Sequence, residues 1–185
     1  MKPRHLPKPE MLISERRIRM RVSELGREIS SCYREGNLTV VFVSNGAAMF
    51  ASDLIRKMDL PIRLDSICAS SYSGSKSSGR LEMRSSVKLD IRGEHVLLVD
   101  DILDTGLTLG KLITELDKSS PADIRLCVLL DKPSCRKNQL KADHVGFEIP
   151  DMFVVGYGLD YNEYYRNLPY VGFIRNTRNR RKTTG

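Results

Sequence analysis

The 185-residue sequence has no apolar stretch approaching the roughly 18 residues that span a bilayer. Residues 1–10 hold charge and proline (Lys2, Pro3, Arg4, Pro7, Lys8, Pro9, Glu10) but no apolar segment. That argues against a secretory leader and for a cytoplasmic location. Only four cysteines occur, Cys32, Cys68, Cys127 and Cys135, and none forms a C-x-x-C pair. A zinc site or disulfide framework is therefore not indicated, and reduced, mostly buried thiols are the simplest expectation. No segment repeats at a fixed period. The net charge of +7 has little bulk basic bias behind it. Residues 1–10 contribute +2 and residues 175–185 contribute +5, leaving 11–174 balanced at 22 basic against 22 acidic. The excess sits on terminal segments expected to be solvated or frayed, with the basic tail 175–185 flexible.

What is present is an ordinary globular balance, 41% hydrophobic and 29% charged. The length suits one domain over 1–185, with a core about 38–174 and room for a small appended hood. Ser14 to Arg34 reads as a helix, since Ile18, Val22, Leu25, Ile29 and Cys32 share one face; Ser14 is its N-cap and Gly36 its stop. Leu38 to Val43 is a continuous β-branched run, the mark of a strand buried on both faces. Ala47 to Met58 returns to helical spacing, and Ile62 to Ala69 is a second strand. Ser70 to Gly79 is small, polar and glycine-bearing, hence a loop. Val96–Val99 and Ile124–Leu130 are further buried strands separated by a helix over Thr105–Lys118. Val145–Ile149 and Phe153–Tyr157 are short extended segments. Apolar strands alternating with helices define an α/β fold with a mostly parallel sheet covered on both faces. Ligands of such sheets bind beyond the carboxyl ends of the strands, so the residues there carry the chemistry.

The most informative such stretch runs Val96-Leu97-Leu98-Val99-Asp100-Asp101-Ile102-Leu103-Asp104-Thr105-Gly106-Leu107-Thr108-Leu109. A buried strand ends in two carboxylates, a turn adds a third, and Thr-Gly-x-Thr opens a helix. Thr105, Gly106, Leu107 and Thr108 can offer successive N–H groups and two hydroxyls to a phosphate. Gly106 lets the backbone approach that anion. The carboxylates repel a phosphate but accept hydrogen bonds from a vicinal diol. A phosphate beside a diol describes a ribose 5-phosphate. Read blandly, Asp104 alone could cap the helix.

This stretch resembles the phosphoribosyl pyrophosphate signature of type I phosphoribosyltransferases, and more closely that of the hypoxanthine-guanine phosphoribosyltransferases. Three further segments carry the resemblance: Ser71-Tyr72 opening the Ser/Gly-rich loop; Leu129-Leu130-Asp131-Lys132-Pro133; and Val145 through Glu163, with Gly146-Phe147-Glu148-Ile149-Pro150-Asp151 and Phe153-Val154-Val155-Gly156-Tyr157-Gly158-Leu159-Asp160-Tyr161-Asn162. The resemblance implies the type I fold with a small hood built from terminal segments. It also implies transfer of a phosphoribosyl group to hypoxanthine or guanine with Mg²⁺, by a homodimer or homotetramer. It assigns Asp100 and Asp101 to the ribose hydroxyls, Asp104 to the general base near purine N7, and Thr105–Thr108 to the 5′-phosphate. Lys132 would donate to the purine O6, Phe153 would stack on the base, and Val154 would meet its edge through backbone groups. Asp160 would belong to the purine site and hold Mg²⁺ through water, with Asp100 and Asp101 also on the metal side. Asn45, Gly46 and Arg166 would serve the pyrophosphate, and Ser71 and Tyr72 would lie on a loop closing over the site.

Each of these residues also has a plain structural reading. Phe153 could be core, Lys132 a solvated charge, Arg166 an ion-pair partner of Glu163, and Tyr72 merely exposed. Two departures stand out. The family often has Glu-Asp where this chain has Asp100-Asp101, so one methylene is lost and contact with a ribose hydroxyl lengthens or passes through water. The loop after the first core strand often reads Leu-Lys-Gly-Gly and here reads Ser44-Asn45-Gly46-Ala47, which removes a cation. The basic tails leave a second function class in view, a regulatory RNA- or DNA-binding protein on the same fold. The neutral core and the absence of an aromatic-rich basic stripe weigh against it.

Overall fold

A computed structural model describes residues 6–33, 37–70, 82–83 and 87–175 of the chain. Ser71, Tyr72 and the tail beyond Arg175 lie outside the described residues.

The chain opens with a short strand, β1 (Glu10–Ile13), then an 18-residue helix, α1 (Glu15–Cys32). Ser14 caps α1 as its spacing predicts, its hydroxyl accepting from the Arg17 N–H. Ile18, Val22, Leu25 and Ile29 are buried, but Cys32 is exposed: the helix ends there, and Tyr33 turns into the core instead. Only Cys127 of the four free cysteines is buried, which corrects the expectation of mostly buried thiols.

The alternating pattern continues through β2 (Leu38–Ser44), α2 (Ala48–Ile55), β3 (Ile62–Ser70), β4 (Glu82–Met83), β5 (His95–Leu103), α3 (Leu107–Asp117), β6 (Asp123–Asp131) and β7 (His144–Glu148). β2, β3, β5, β6 and β7 pair in parallel, with order β3-β2-β5-β6-β7, and β4 adds an antiparallel edge beside β3. Both sheet faces are buried, and the period-two alternation divides the strand residues between them. Val40, Leu97, Val99, Cys127 and Leu129 pack toward α1 and α2. Val41, Val43, Val96, Leu98, Leu126 and Val128 pack toward Leu109, Leu112 and Leu116 of α3. That sandwich explains why these strands read as unbroken apolar runs.

Among the strands, β5 and β8 differ from the sequence expectation. β5 runs past Val99 to Leu103, because Asp100 and Ile102 keep their pairing with Val128 and Leu130 of β6. The expected strand over Phe153–Tyr157 shrinks to β8 (Val154–Val155), since Gly156 (φ 95°) and Tyr157 (φ 51°) turn left-handed. β8 is not part of the main sheet. It pairs with β9 (Val171–Phe173), which pairs with β1, giving a small antiparallel hood of order β1-β9-β8. Ile13, Val154 and Val171 of the hood bury into the core cluster of α1 and α2. Arg175, assigned by composition to the solvated tail, pairs with Glu10 at 2.8 Å across the hood.

Candidate active site

The carboxyl ends of β2, β5, β6 and β7 point to one end of the sheet, and the chemistry-bearing residues follow them. A cavity of about 680 Å³ opens there. Asp100, Asp101 and Asp104 line it from β5 and the turn beyond, and Thr105, Gly106 and Thr108 from the entry to α3. Asn45 and Gly46 contribute from the end of β2, and Asp160, Glu163 and Arg166 from the segment after β8.

The entry to α3 is a tight turn closed by a left-handed glycine. Gly106, not Asp104, is the N-cap, at φ 78° and with no side-chain cap bond. The helix therefore begins two residues later than its spacing predicts, and the Asp104 carboxylate is not consumed in capping. Among the described residues, the N–H groups of Thr105, Gly106 and Thr108 meet no backbone carbonyl. The Leu107 N–H reaches only the Thr105 hydroxyl, at 3.4 Å. Free N–H groups at a helix start are what a phosphate requires.

Asp100 and Asp101 are half-buried side by side. The Asp101 N–H donates to Asp100 Oδ1 at 2.9 Å. Burial first, and then the charge of Asp101, push the Asp100 carboxyl well above the usual carboxylate range. Burial raises Asp101 as well, against the opposing pull of its Asp100 hydrogen bond and of Arg166. A Cβ at Gly46 would strike the Asp101 carboxylate, and one at Gly158 (φ 102°) would strike the Gly46 carbonyl. The two glycines thus let the β2 loop and the post-β8 segment close on the carboxylate. The Ser44–Asn45 peptide bond within that loop is cis.

A second group of site residues sits beside the cavity. Lys132, read blandly as a solvated charge, is 5% exposed. Its Nζ lies 3.4 Å from Asp104 Oδ2 and 3.6 Å from Asp151 Oδ1. Phe153 is not core: its ring is 53% exposed, with Tyr161 edge-on at 5.8 Å. Val154 is buried and pairs with Phe173 of β9. Lys132, Phe153, Val154 and Leu107 do not line the main cavity; Lys132 joins it through Asp104. Arg166 does pair with Glu163, at 2.9 Å, and equally with Asp160 at 2.9 Å, while donating to the Gly158 carbonyl at 2.7 Å.

Sequence reasoning missed Asp151, Arg136 and Asn138. Asp151 is the second partner of Lys132. Arg136 and Asn138 bond the carbonyls of the Asp104–Gly106 turn, some thirty residues upstream. Local spacing carries no signal for such contacts.

At the strand ends of this parallel sheet stand two adjacent carboxylates, a helix start with unpaired N–H groups and a buried lysine beside two carboxylates. The chain belongs to the phosphoribosyltransferase family, as a hypoxanthine-guanine phosphoribosyltransferase: residues 10–162 match the phosphoribosyl transferase domain. It is 43% identical to the hypoxanthine phosphoribosyltransferase of Haemophilus influenzae, over 94% of this chain and 98% of that one. It is 46% identical to the hypoxanthine-guanine phosphoribosyltransferase of Aquifex aeolicus, over 90% of this chain and 95% of that one. Its fold matches the hypoxanthine phosphoribosyltransferase of Trypanosoma cruzi, solved in complex with the product IMP, at TM-score 0.86 and 38% identity. That match covers 94% of this chain and 98% of that one.

Proposed function

We propose that this chain performs purine salvage, moving the 5-phosphoribosyl group of phosphoribosyl pyrophosphate to N9 of hypoxanthine, and of guanine, with release of pyrophosphate. The products are IMP and GMP. The observation that carries the reading is the convergence in one cavity of the Asp100–Asp101 pair and the Thr105–Thr108 cradle, with the Lys132–Asp104 pair at its edge.

In this reading Thr105, Gly106, Leu107 and Thr108 hold the 5′-phosphate, and Asp100 and Asp101 accept from the ribose hydroxyls. C1′ is thereby fixed between purine and pyrophosphate, and the reaction gains from orientation. Asp104 takes the proton at purine N7 as N9 bonds to C1′ and the bond to pyrophosphate breaks. Lys132, held between Asp104 and Asp151, donates to O6 of the purine. A 6-amino group would present hydrogens to that cation, so adenine is rejected. The exposed Phe153 ring stacks on the base, while the Val154 backbone meets its edge. Arg166, Asn45 and Gly46 face the pyrophosphate. Ser71 and Tyr72 are assigned by family likeness to a closing loop that excludes water. A homodimer or homotetramer is proposed on the same likeness.

The donor set fits Mg²⁺. Five carboxylates (Asp100, Asp101, Asp104, Asp160, Glu163) and one guanidinium (Arg166) line the cavity. An anionic diphosphate meets net negative charge there unless a cation accompanies it. Among the described residues no three metal-ligating side chains cluster. Mg²⁺ characteristically keeps several waters and takes one or two carboxylates plus substrate phosphates. Asp160 would hold it through water, with Asp100 and Asp101 on the ribose side, and it would neutralise charge on the departing pyrophosphate.

The regulatory reading gains no support, since the relatives above carry the names of enzymes. Among the described residues no helix is long and apolar enough to cross a membrane. A spectrophotometric assay with phosphoribosyl pyrophosphate and Mg²⁺, comparing hypoxanthine, guanine, xanthine and adenine, tests the proposal. Product is expected from hypoxanthine and guanine. Asp104→Asn should lower kcat by roughly a hundredfold or more. Equal turnover of adenine, or an unaffected mutant, would sink the assigned roles.

A further inference from the structure

The segment after β6 does more than present Lys132. It accounts for four consecutive carbonyls of the phosphate turn. The Leu103 carbonyl accepts from the Lys132 N–H at 3.0 Å and from Arg136 at 3.0 Å. The same Arg136 nitrogen donates to the Asp104 carbonyl. The Thr105 carbonyl accepts from the Lys137 N–H at 2.9 Å, and the Gly106 carbonyl from Asn138 Nδ2 at 2.9 Å. The other end of the Arg136 guanidinium pairs with Asp131, the last residue of β6, and both side chains are only 12% exposed. A Cβ on Gly106 would collide with Asn138 Oδ1, so turn and clamp are in van der Waals contact.

We infer that Arg136, anchored by Asp131 and assisted by Asn138, is a positioning residue for the 5′-phosphate subsite. A peptide plane that turns its carbonyl toward Arg136 turns the following N–H the other way, toward the cavity. Fixing the carbonyls of Leu103, Asp104, Thr105 and Gly106 therefore fixes the N–H groups of Asp104, Thr105, Gly106 and Leu107 as a set. The Gly106 carbonyl also accepts from the Gly110 N–H at 2.9 Å, and those of Leu103 and Thr105 keep backbone donors, so without Arg136 it is the Asp104 carbonyl that loses its donor and can rotate toward the phosphate. Arg136 suits the task because its planar fork serves two carbonyls and one carboxylate at once, which a lysine cannot do. The lone hydroxyls of Thr105 and Thr108 cannot compensate, since they follow the same backbone.

The role rests on the phosphoribosyl-transfer reading, and the test separates the two. Arg136→Lys, Arg136→Met and Asn138→Ala are compared with the unmodified chain. Four readouts are taken: KM for phosphoribosyl pyrophosphate, KM for hypoxanthine, dissociation constants of IMP and of inosine, and Tm. Inosine shares base and ribose with IMP but lacks the phosphate. Both Arg136 variants should raise KM for phosphoribosyl pyrophosphate and weaken IMP by roughly tenfold to a hundredfold. Inosine binding and KM for hypoxanthine should stay within about twofold, a selectivity that general destabilisation does not produce. Asn138→Ala, which keeps the Arg136–Asp131 pair, should show a smaller shift of the same kind, so the proposal survives a failure of the Arg136 variants to fold. Equal loss of IMP and inosine, or unchanged IMP affinity in folded variants, overturns the positioning role. Absence of product from the unmodified chain overturns the transferase reading and this inference with it.

Discussion

At the scale of single residues, Asp100 shows what holding two carboxylates side by side does to stability. Its carboxyl is half-buried against Asp101, and burial raises its affinity for a proton. The folded chain thus favours the neutral form more than the unfolded chain does. Stability from such a group is complete below the unfolded carboxylate pKa and declines as pH rises through the higher folded value. At neutral pH the ionised pair therefore weakens the ligand-free fold. Asp100→Asn is expected to raise Tm at pH 7 by a few degrees, about what 1 kcal/mol gives in a chain of this length. The gain should vanish as pH falls below the ordinary carboxylate range, where Asp100 is neutral in both states. Thermal melts across pH check this, and KM for phosphoribosyl pyrophosphate should rise in the same variant. A stabilisation that persists in acid would contradict the account.

At the scale of elements, the strand ends and their following turns carry the site. β5 delivers two carboxylates only because it keeps pairing with β6 beyond Val99. The loop after β2 can approach them only because position 46 has no side chain. Gly46→Ala drives a methyl into the Asp101 carboxylate. Displacing that group by about an ångström should lower kcat/KM for phosphoribosyl pyrophosphate by roughly a hundredfold. Gly93→Ala is the matching contrast. Gly93 has φ 70° but open space around its Cβ position. It should cost about 1 kcal/mol of stability with kcat/KM unchanged. Melting temperatures and initial rates of both variants separate a lost close approach at the site from backbone strain in a turn before β5.

At the scale of the whole molecule, charge is distributed against the substrate. The described cavity is lined by five carboxylates and one guanidinium, although the chain carries +7 overall. In the proposed reaction a cation is expected to enter with the diphosphate. Chelation of Mg²⁺ should abolish turnover, and readdition should restore it. Asn45→Lys places a cation beside the pyrophosphate position and should lower KM for phosphoribosyl pyrophosphate about fivefold, the yield of a partly exposed ion pair near 1 kcal/mol. An unchanged KM would mean that Arg166 and the metal already saturate the pyrophosphate.

The alternating apolar strands and amphipathic helices made the parallel sheet legible, because two-sided burial leaves continuous apolar runs that sequence records directly. That Asp100, Asp101, Asp104, Thr105, Gly106 and Thr108 come to one cavity was legible for a similar reason: they sit on a single strand–turn–helix and are neighbours in the chain. The hood was harder to read, since β1, β8 and β9 are four, two and three residues long and pair across most of the chain. Sequence likewise could not rank Lys132 or Phe153 against their plain readings. Burial of the one and exposure of the other depend on β6, β8 and the turn at Asp104 meeting in space. The Arg136 clamp was decided by tertiary structure alone. Its acceptors lie 32 to 33 residues upstream and are backbone carbonyls, which have no identity in the sequence.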